Sequence, residues 1–158
     1  MPLNPEHILL PFAPAALSPG PWLVFAPHAD DETFGMGGSL LKASKQGVET
    51  HVIVLTDGAL GGEGDDLVQI RQHEAEAAAQ LLGLTSLACW TEPDRELEHS
   101  ERLADRIAAS ISRLAPASVF FPGPMEIHPD HRAAGFAVWS GLQQVYQQNV
   151  IRPLAIAY

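Results

Sequence analysis

Trp22-Leu-Val-Phe-Ala26, followed at once by Pro27-His28-Ala29-Asp30-Asp31-Glu32, is the stretch on which the fold turns. Five apolar residues rich in strand formers, bracketed by Pro21 and Pro27, suit a strand buried on both faces. After the polar loop, Gly35 to Lys45 has helical composition, and Gly47 stands where a helix C-cap is expected. Strand, loop and helix in this order begin a parallel α/β unit.

The rest of the chain repeats that alternation. Thr50 to Leu55 reads as a second buried strand. A glycine- and acid-rich loop, Asp57 to Asp66, leads to a helix over Leu67–Leu82, with Leu67, Ile70, Ala77 and Leu81 spaced for one apolar face and Gly83 as its stop. Leu87 to Trp90 is a short, weaker third strand. A helix over Ser100–Leu114 carries Leu103, Ile107, Ile111 and Leu114 at helical spacing, and Pro116 lies just past its end. Ser118 to Phe121 is the fourth strand, His131 to Gln148 looks helical, and Pro153 to Tyr158 is a fifth strand. The expected architecture is a single α/β domain, an open, mostly parallel sheet with helices on both faces. Residues 1–21 form a proline-rich lead-in and residues 22–158 the domain. A strand at the extreme C-terminus leaves the sheet edge with little cover, as in a minimal domain or in a longer protein cut at Tyr158.

Composition narrows the function. With 158 residues, 46% hydrophobic and 18% charged, the chain is long enough for one core and too apolar to be disordered. Nine Lys and Arg against nineteen Asp and Glu give a net charge of −10, the wrong sign for holding nucleic acid. Ile8 to Pro27 carries no charge, but Pro11, Pro14, Pro19, Gly20 and Pro21 interrupt it, which rules out a spanning helix. The first ten residues hold Glu6 and no Lys or Arg, unlike a signal peptide. The single cysteine, Cys89, asks for no oxidising compartment, so a cytoplasmic address is expected.

Two motifs carry chemistry. Pro27 to Glu32 follows the first strand, and His128-Pro129-Asp130-His131 follows the fourth, about a hundred residues later. In an open parallel sheet the C-terminal strand ends are where ligands bind, so the two loops can meet in one site. Imidazoles and a carboxylate are the usual ligands of a catalytic zinc that keeps one position for water, and His28, Asp31 and His131 supply such a set. Asp30, Asp31 and Glu32 also read as solvated acids favoured by a helix dipole. A histidine-containing motif on a second strand end tips the balance towards a cation among them.

The motifs Pro27-His-Ala-Asp-Asp-Glu32, Gly35-Met-Gly-Gly38, Leu55-Thr-Asp-Gly58, Arg71 with Glu74, and His128-Pro-Asp-His131 resemble those of the PIG-L or LmbE-like de-N-acetylases. The resemblance runs from about Trp22 to Tyr158; Ala29 replaces the proline most often found there, and family members usually continue past this last strand. It implies a Rossmann-like α/β fold and a zinc-dependent removal of acetyl groups from N-acetylglucosamine-type conjugates. It assigns His28, Asp31 and His131 to one zinc, with another divalent transition metal as the alternative, and Asp30 to the general base. It makes His128 the donor to the oxyanion, with Asp130 orienting its ring.

Arg71 is the expected substrate contact, since its fork of donors suits hydroxyls, carboxylates or phosphates, and it also has Glu74 at pairing distance on the same helix. Gly35 to Gly38 is too short for a dinucleotide fingerprint and reads as close helix packing beneath the metal. His7, His51, His73 and His99 read as ordinary surface or core residues, while Asp57 and the loop to Asp66 border the pocket. Two other readings share these residues: an iron oxygenase built on a two-histidine, one-carboxylate triad, and a metal-dependent sugar-binding or inactive truncated domain.

Overall fold

The computed structural model describes residues 16–62, 66–148 and 151–158. His7, most of the lead-in and the middle of the acid-rich loop lie outside them. Five strands form one sheet: β1 (Trp22–Ala26), β2 (Thr50–Thr56), β3 (Ser86–Glu92), β4 (Ser118–Phe121) and β5 (Leu154–Ala157). Four helices alternate with them: α1 (Asp31–Lys45), α2 (Leu67–Leu82), α3 (Glu101–Leu114) and α4 (Pro129–Gln148). The order across the sheet is β3-β2-β1-β4-β5, and every pairing is parallel. The expected open parallel α/β sheet is what forms.

Alternation along β1 divides the core in two. Leu23 and Phe25 point to the face covered by α3 and α4, where they meet Leu103, Ile107, Ile111, Val138 and Leu142. Trp22, Val24 and Ala26 point to the other face, under Met36, Leu40 and Ala43 of α1. Successive side chains on a strand face opposite sides, so a strand flanked by helices on both sides must be apolar throughout.

Several helical boundaries and faces differ from the sequence expectation. Helix α1 begins at Asp31 and not at Gly35, with Asp31 and Glu32 in its first turn; negative side chains are favoured at that end by the helix dipole. Helix α4 begins at Pro129, since proline suits the first helical position, where its missing N–H costs nothing. On α2 the expected stripe is the wrong one: Ile70 and Leu81 are 49% and 82% exposed. The inward face is set by Ala75, which is buried, with Arg71 and Leu82 partly covered beside it. Small alanines seat this helix against its neighbours, and hydrophobic spacing alone does not reveal that. Strand β3 runs two residues past Trp90 and is a half-exposed edge.

Two glycines make opposite predictions for the same substitution. A Cβ on Gly141 of α4 would stand 2.8 Å from Ile107 Cγ2 and 3.0 Å from the Ala104 carbonyl oxygen, so the α3–α4 contact is closed to it. At Gly38 nothing lies within 4 Å. Alanine gains about 1 kcal/mol of helix propensity at either position. Overpacking costs about 1–3 kcal/mol, so Gly141→Ala should lower stability by about 1 kcal/mol net, while Gly38→Ala should raise it by up to about 1 kcal/mol. Urea denaturation of both variants checks the pair of signs. Of the three glycines in Gly35–Gly38, only Gly35 is in close packing: its Cβ would stand 2.6 Å from Cε2 of Tyr158.

Candidate metal and catalytic site

Strands β2 and β3 extend from one side of β1, and β4 and β5 from the other. The loop after β1 therefore turns to the α1 face and the loop after β4 to the α4 face. Between them opens the crevice in which α/β sheets bind ligands. His28 enters from the first loop, and His128 and His131 from the second; ring centroids lie 4.9 Å (His28–His128), 5.4 Å (His28–His131) and 5.2 Å (His128–His131) apart.

Asp31 is the hub. Its Oδ2 accepts the backbone N–H of His28 at 2.9 Å and lies 3.2 Å from both His28 Nδ1 and His131 Nε2. Ligands of a tetrahedral ion bound at ~2.0 Å stand about 3.3 Å apart, and the two separations from Asp31 match that spacing. His28, His128 and His131 each also offer a nitrogen within 4.8 Å of the others.

The opposite edge of the His28 ring supports the same reading. Nε2 lies 3.0 Å from Asp130 Oδ2 and 3.4 Å from Asp94 Oδ1. Carboxylates only accept and one stands at each ring nitrogen, so without an ion the ring is held as a cation that donates at Nε2 to Asp130 and at Nδ1 to Asp31, and a bound ion would take the place of the Nδ1 proton. Metal-ligating histidines are commonly held this way, by a carboxylate on the far nitrogen. Asp130 is fully buried, and its carboxylate also takes the backbone N–H groups of Arg95 at 2.8 Å and Leu97 at 3.3 Å.

This corrects the assignment of Asp130 as the residue that orients His128. Its carboxylate serves His28; what reaches His128 Nδ1 is the backbone N–H of Asp130, at 3.3 Å. The first turn of α4 sends that side chain inward, to the backbone of Arg95 and Leu97, while His128 stays half-buried on the cleft.

Asp30 occupies the N-cap of α1, yet its carboxylate makes no capping hydrogen bond. An aspartate at this position ordinarily turns onto the first free amides of its helix. Asp30 lines the cleft with His28, Ala29, His128 and Arg71. Arg71 donates to Glu74 Oε2 at 3.2 Å and to the Gly61 carbonyl at 2.9 Å, so its helix partner and its place on the cleft coexist. His51 is bonded to Ser86 at 2.8 Å and His99 to Ser140 at 2.9 Å, both away from the cluster.

Asp94 and Arg95, from the loop after β3, also line the cleft and were not anticipated. Asp94 Oδ2 accepts the Leu60 N–H at 2.9 Å, tying the glycine-rich loop to the site. One signal was available: like the two histidine motifs, this pair follows the C-terminal end of a strand. Ending β3 at Trp90 hid it.

Charges in the crevice are mutually dependent. Burial disfavours a charged His28, but hydrogen bonds to Asp31 and Asp130 and the nearby charge of Asp94 outweigh it and push its pKa to about 9. Burial likewise works against ionised Asp31, and the two histidines it touches override that and hold its carboxyl well below the usual range. Burial raises Glu32, whose Oε2 has no partner among the described residues, with Asp30 and Asp31 adding to the effect.

A parallel α/β sheet with histidines and carboxylates converging at its switch point defines an α/β fold with a candidate metal site at its strand ends. Residues 23–142 match the model of the GlcNAc-PI de-N-acetylase family, PIG-L, and the chain belongs to that family. It is 34% identical over 122 residues to diacetylchitobiose deacetylase of Thermococcus kodakarensis, covering 72% of this chain and 46% of that protein. It is 29% identical over 148 residues to a probable N-acetyl-α-D-glucosaminyl L-malate deacetylase 2 of Bacillus anthracis, covering 86% and 65%.

Among solved structures, N,N′-diacetylchitobiose deacetylase from Pyrococcus horikoshii superposes with a TM-score of 0.73 at 29% identity, over 87% of this chain and 57% of that one. The 4-carboxy-2-hydroxymuconate hydratase of Pseudomonas putida KT2440 superposes with a TM-score of 0.71 at 25% identity, over 77% and 55%. The chain thus spans about half to two thirds of the length of these relatives. No helix among the described residues is long and apolar enough to cross a membrane.

Proposed function

We propose that this protein is a metal-dependent amide hydrolase that removes the N-acetyl group from an N-acetylglucosamine-type conjugate. The observation that carries the reading is the division of labour between adjacent aspartates. Asp31 Oδ2 is shared by two histidines, and Asp30 beside them makes no side-chain cap to its helix and has no side-chain partner among the described residues. Deacetylase relatives of two substrate types support it.

His28, Asp31 and His131 would hold one zinc ion, which when bound supplies a Lewis acid that lowers the pKa of water to about 7. Asp130 keeps the His28 lone pair turned to that position by accepting from Nε2. Asp30, within the cleft, takes the proton as water adds to the amide carbon. His128 faces the cleft from the opposite loop and donates to the oxygen on which negative charge develops. A proton must then reach the departing amine, and Asp30 is placed to return the one it took. Arg71 holds sugar hydroxyls or an attached group. The cleft measures about 160 Å³, below the ~300 Å³ of sites that enclose a whole ligand, so an acetamido group and part of its ring enter while the remainder lies outside.

The hydratase among the structural neighbours makes fold alone insufficient to choose the reaction. Zinc-loaded protein should release free amine and acetate in equal amounts from diacetylchitobiose or from an N-acetylglucosaminyl conjugate of a hydroxy acid. Absence of amine from both, in protein that binds zinc, would leave the metal-dependent sugar-binding reading in its place.

A further inference from the structure

The loop that delivers His128 to the cleft has little packing of its own. Between the end of β4 and the start of α4, Pro124, Met125, Glu126 and Ile127 are all exposed, Met125 at 92% and Ile127 at 94%. Side chains left in water contribute almost no burial energy, so hydrogen bonds must hold the residues that lead into the site. Inside the loop, the Glu126 N–H closes a turn on the Gly123 carbonyl at 3.3 Å.

Arg132 supplies the rest. From the end of the first turn of α4, its Nη1 donates to the Glu126 carbonyl at 2.9 Å and to the Ile127 carbonyl at 2.6 Å. Its backbone N–H donates to the His128 carbonyl at 3.2 Å. One residue thus grips three consecutive carbonyls, those of Glu126, Ile127 and His128. In a chain of net charge −10, its guanidinium pairs with no carboxylate among the described residues. The cation is committed to the loop backbone.

The grip bears on what His128 does. Its Nδ1 accepts the Asp130 N–H at 3.3 Å, so the neutral ring carries its proton on Nε2 and can donate it in a hydrogen bond. A donor stabilises an oxyanion only from about 2.7–3.1 Å, and a misplacement of about 1 Å can cost about 10²-fold. On the C-terminal side of His128, the buried carboxylate of Asp130 is anchored by the Arg95 and Leu97 N–H groups. On the N-terminal side the anchor is Arg132.

We infer that Arg132 is a positioning residue that holds His128 in place as the oxyanion donor, by clamping the two carbonyls that precede it. The inference rests on the deacetylase reading for the role of His128 and on the Arg132 bonds for the clamp. An arginine that served the fold alone would act alike whether or not His128 were present.

The test is a double-mutant cycle in zinc-loaded protein acting on diacetylchitobiose: wild type, Arg132→Ala, His128→Ala and the two together, with Arg132→Lys as the conservative variant. Arg132→Ala should lower kcat about tenfold, with KM and zinc affinity within about threefold of wild type. On the His128→Ala background the same change should alter kcat by less than about twofold, because the donor that it places is gone. Lysine keeps a cation able to donate to both carbonyls, so Arg132→Lys should recover most of the loss. An equal fall in both backgrounds, a fall that tracks lost zinc, or an unchanged kcat in Arg132→Ala overturns the inference. If wild type releases no amine, the deacetylase reading fails by itself, and the histidine ring resonances of the metal-free protein decide the clamp. Arg132→Ala should then shift or broaden the His128 signals and leave those of His51 and His99 in place. Unchanged His128 signals overturn the inference.

Discussion

Asp30→Ala should lower kcat by about 10²–10⁴-fold, the usual loss when a positioned general base is removed, while the protein keeps its metal. The two halves of this result come from different atoms. Asp31 already brings one oxygen to within 3.2 Å of a nitrogen on each of two histidines, so the cation does not need Asp30. Because Asp30 makes no side-chain cap to α1, its loss removes no capping bond. Helix stability should therefore change little, and thermal melting provides the control. Asp31→Ala must behave differently. It removes the acceptor common to His28 and His131 and leaves two imidazoles with no charge to join them, so metal should be lost together with activity. Measuring metal content and deacetylation on the same preparations separates the two. Near-normal kcat in metal-loaded Asp30→Ala would assign the base elsewhere.

Metal affinity should rise about tenfold for each pH unit up to about pH 9 and then level off, because the ion must displace the proton that His28 otherwise holds. In the metal-free protein burial works against that proton, but the carboxylates of Asp31, Asp130 and Asp94 hold it to a pKa of about 9 against an ordinary 6.5. The sign for stability follows from the same shift. A raised pKa in the folded state stabilises the fold fully below 6.5, and that contribution is lost as pH climbs through 9. Chelated protein should therefore melt at lower temperature at pH 10 than at pH 7. Metal-loaded protein should lack this loss, since the ion now supplies the positive charge among the acids. Zinc titrations between pH 6 and 10, with protons released counted by calorimetry in two buffers, measure the slope directly. A flat affinity profile would mean that His28 is neutral before the metal arrives.

Much of this site was legible before any coordinates. The bounds of β1 and β4 agree residue for residue with the reading of Trp22–Ala26 and Ser118–Phe121, because short apolar runs edged by proline or small residues leave little choice of boundary. Both histidine motifs fall after strands, and Asp31 Oδ2 lies 3.2 Å from a nitrogen of each of His28 and His131. The face of α2 was not legible. Its alanines carry almost no hydrophobic contrast, and the stripe through Ile70 and Leu81 looks more apolar than the one the sheet covers.

What the sequence by itself determined is local: which segments extend or coil, and which loops carry imidazole and carboxylate. Those follow from side-chain spacing, turn residues and ligand chemistry along neighbouring positions. Only the tertiary structure decided that β1 lies between β2 and β4, that Asp130 serves His28 and not His128, and that Asp94 and Arg95 join the cleft. Strand order depends on pairings between segments far apart in the chain, and the direction of a buried carboxylate depends on which donors that order brings beside it. Asp130 finds the N–H groups of Arg95 and Leu97 and the Nε2 of His28 because three strand ends meet there.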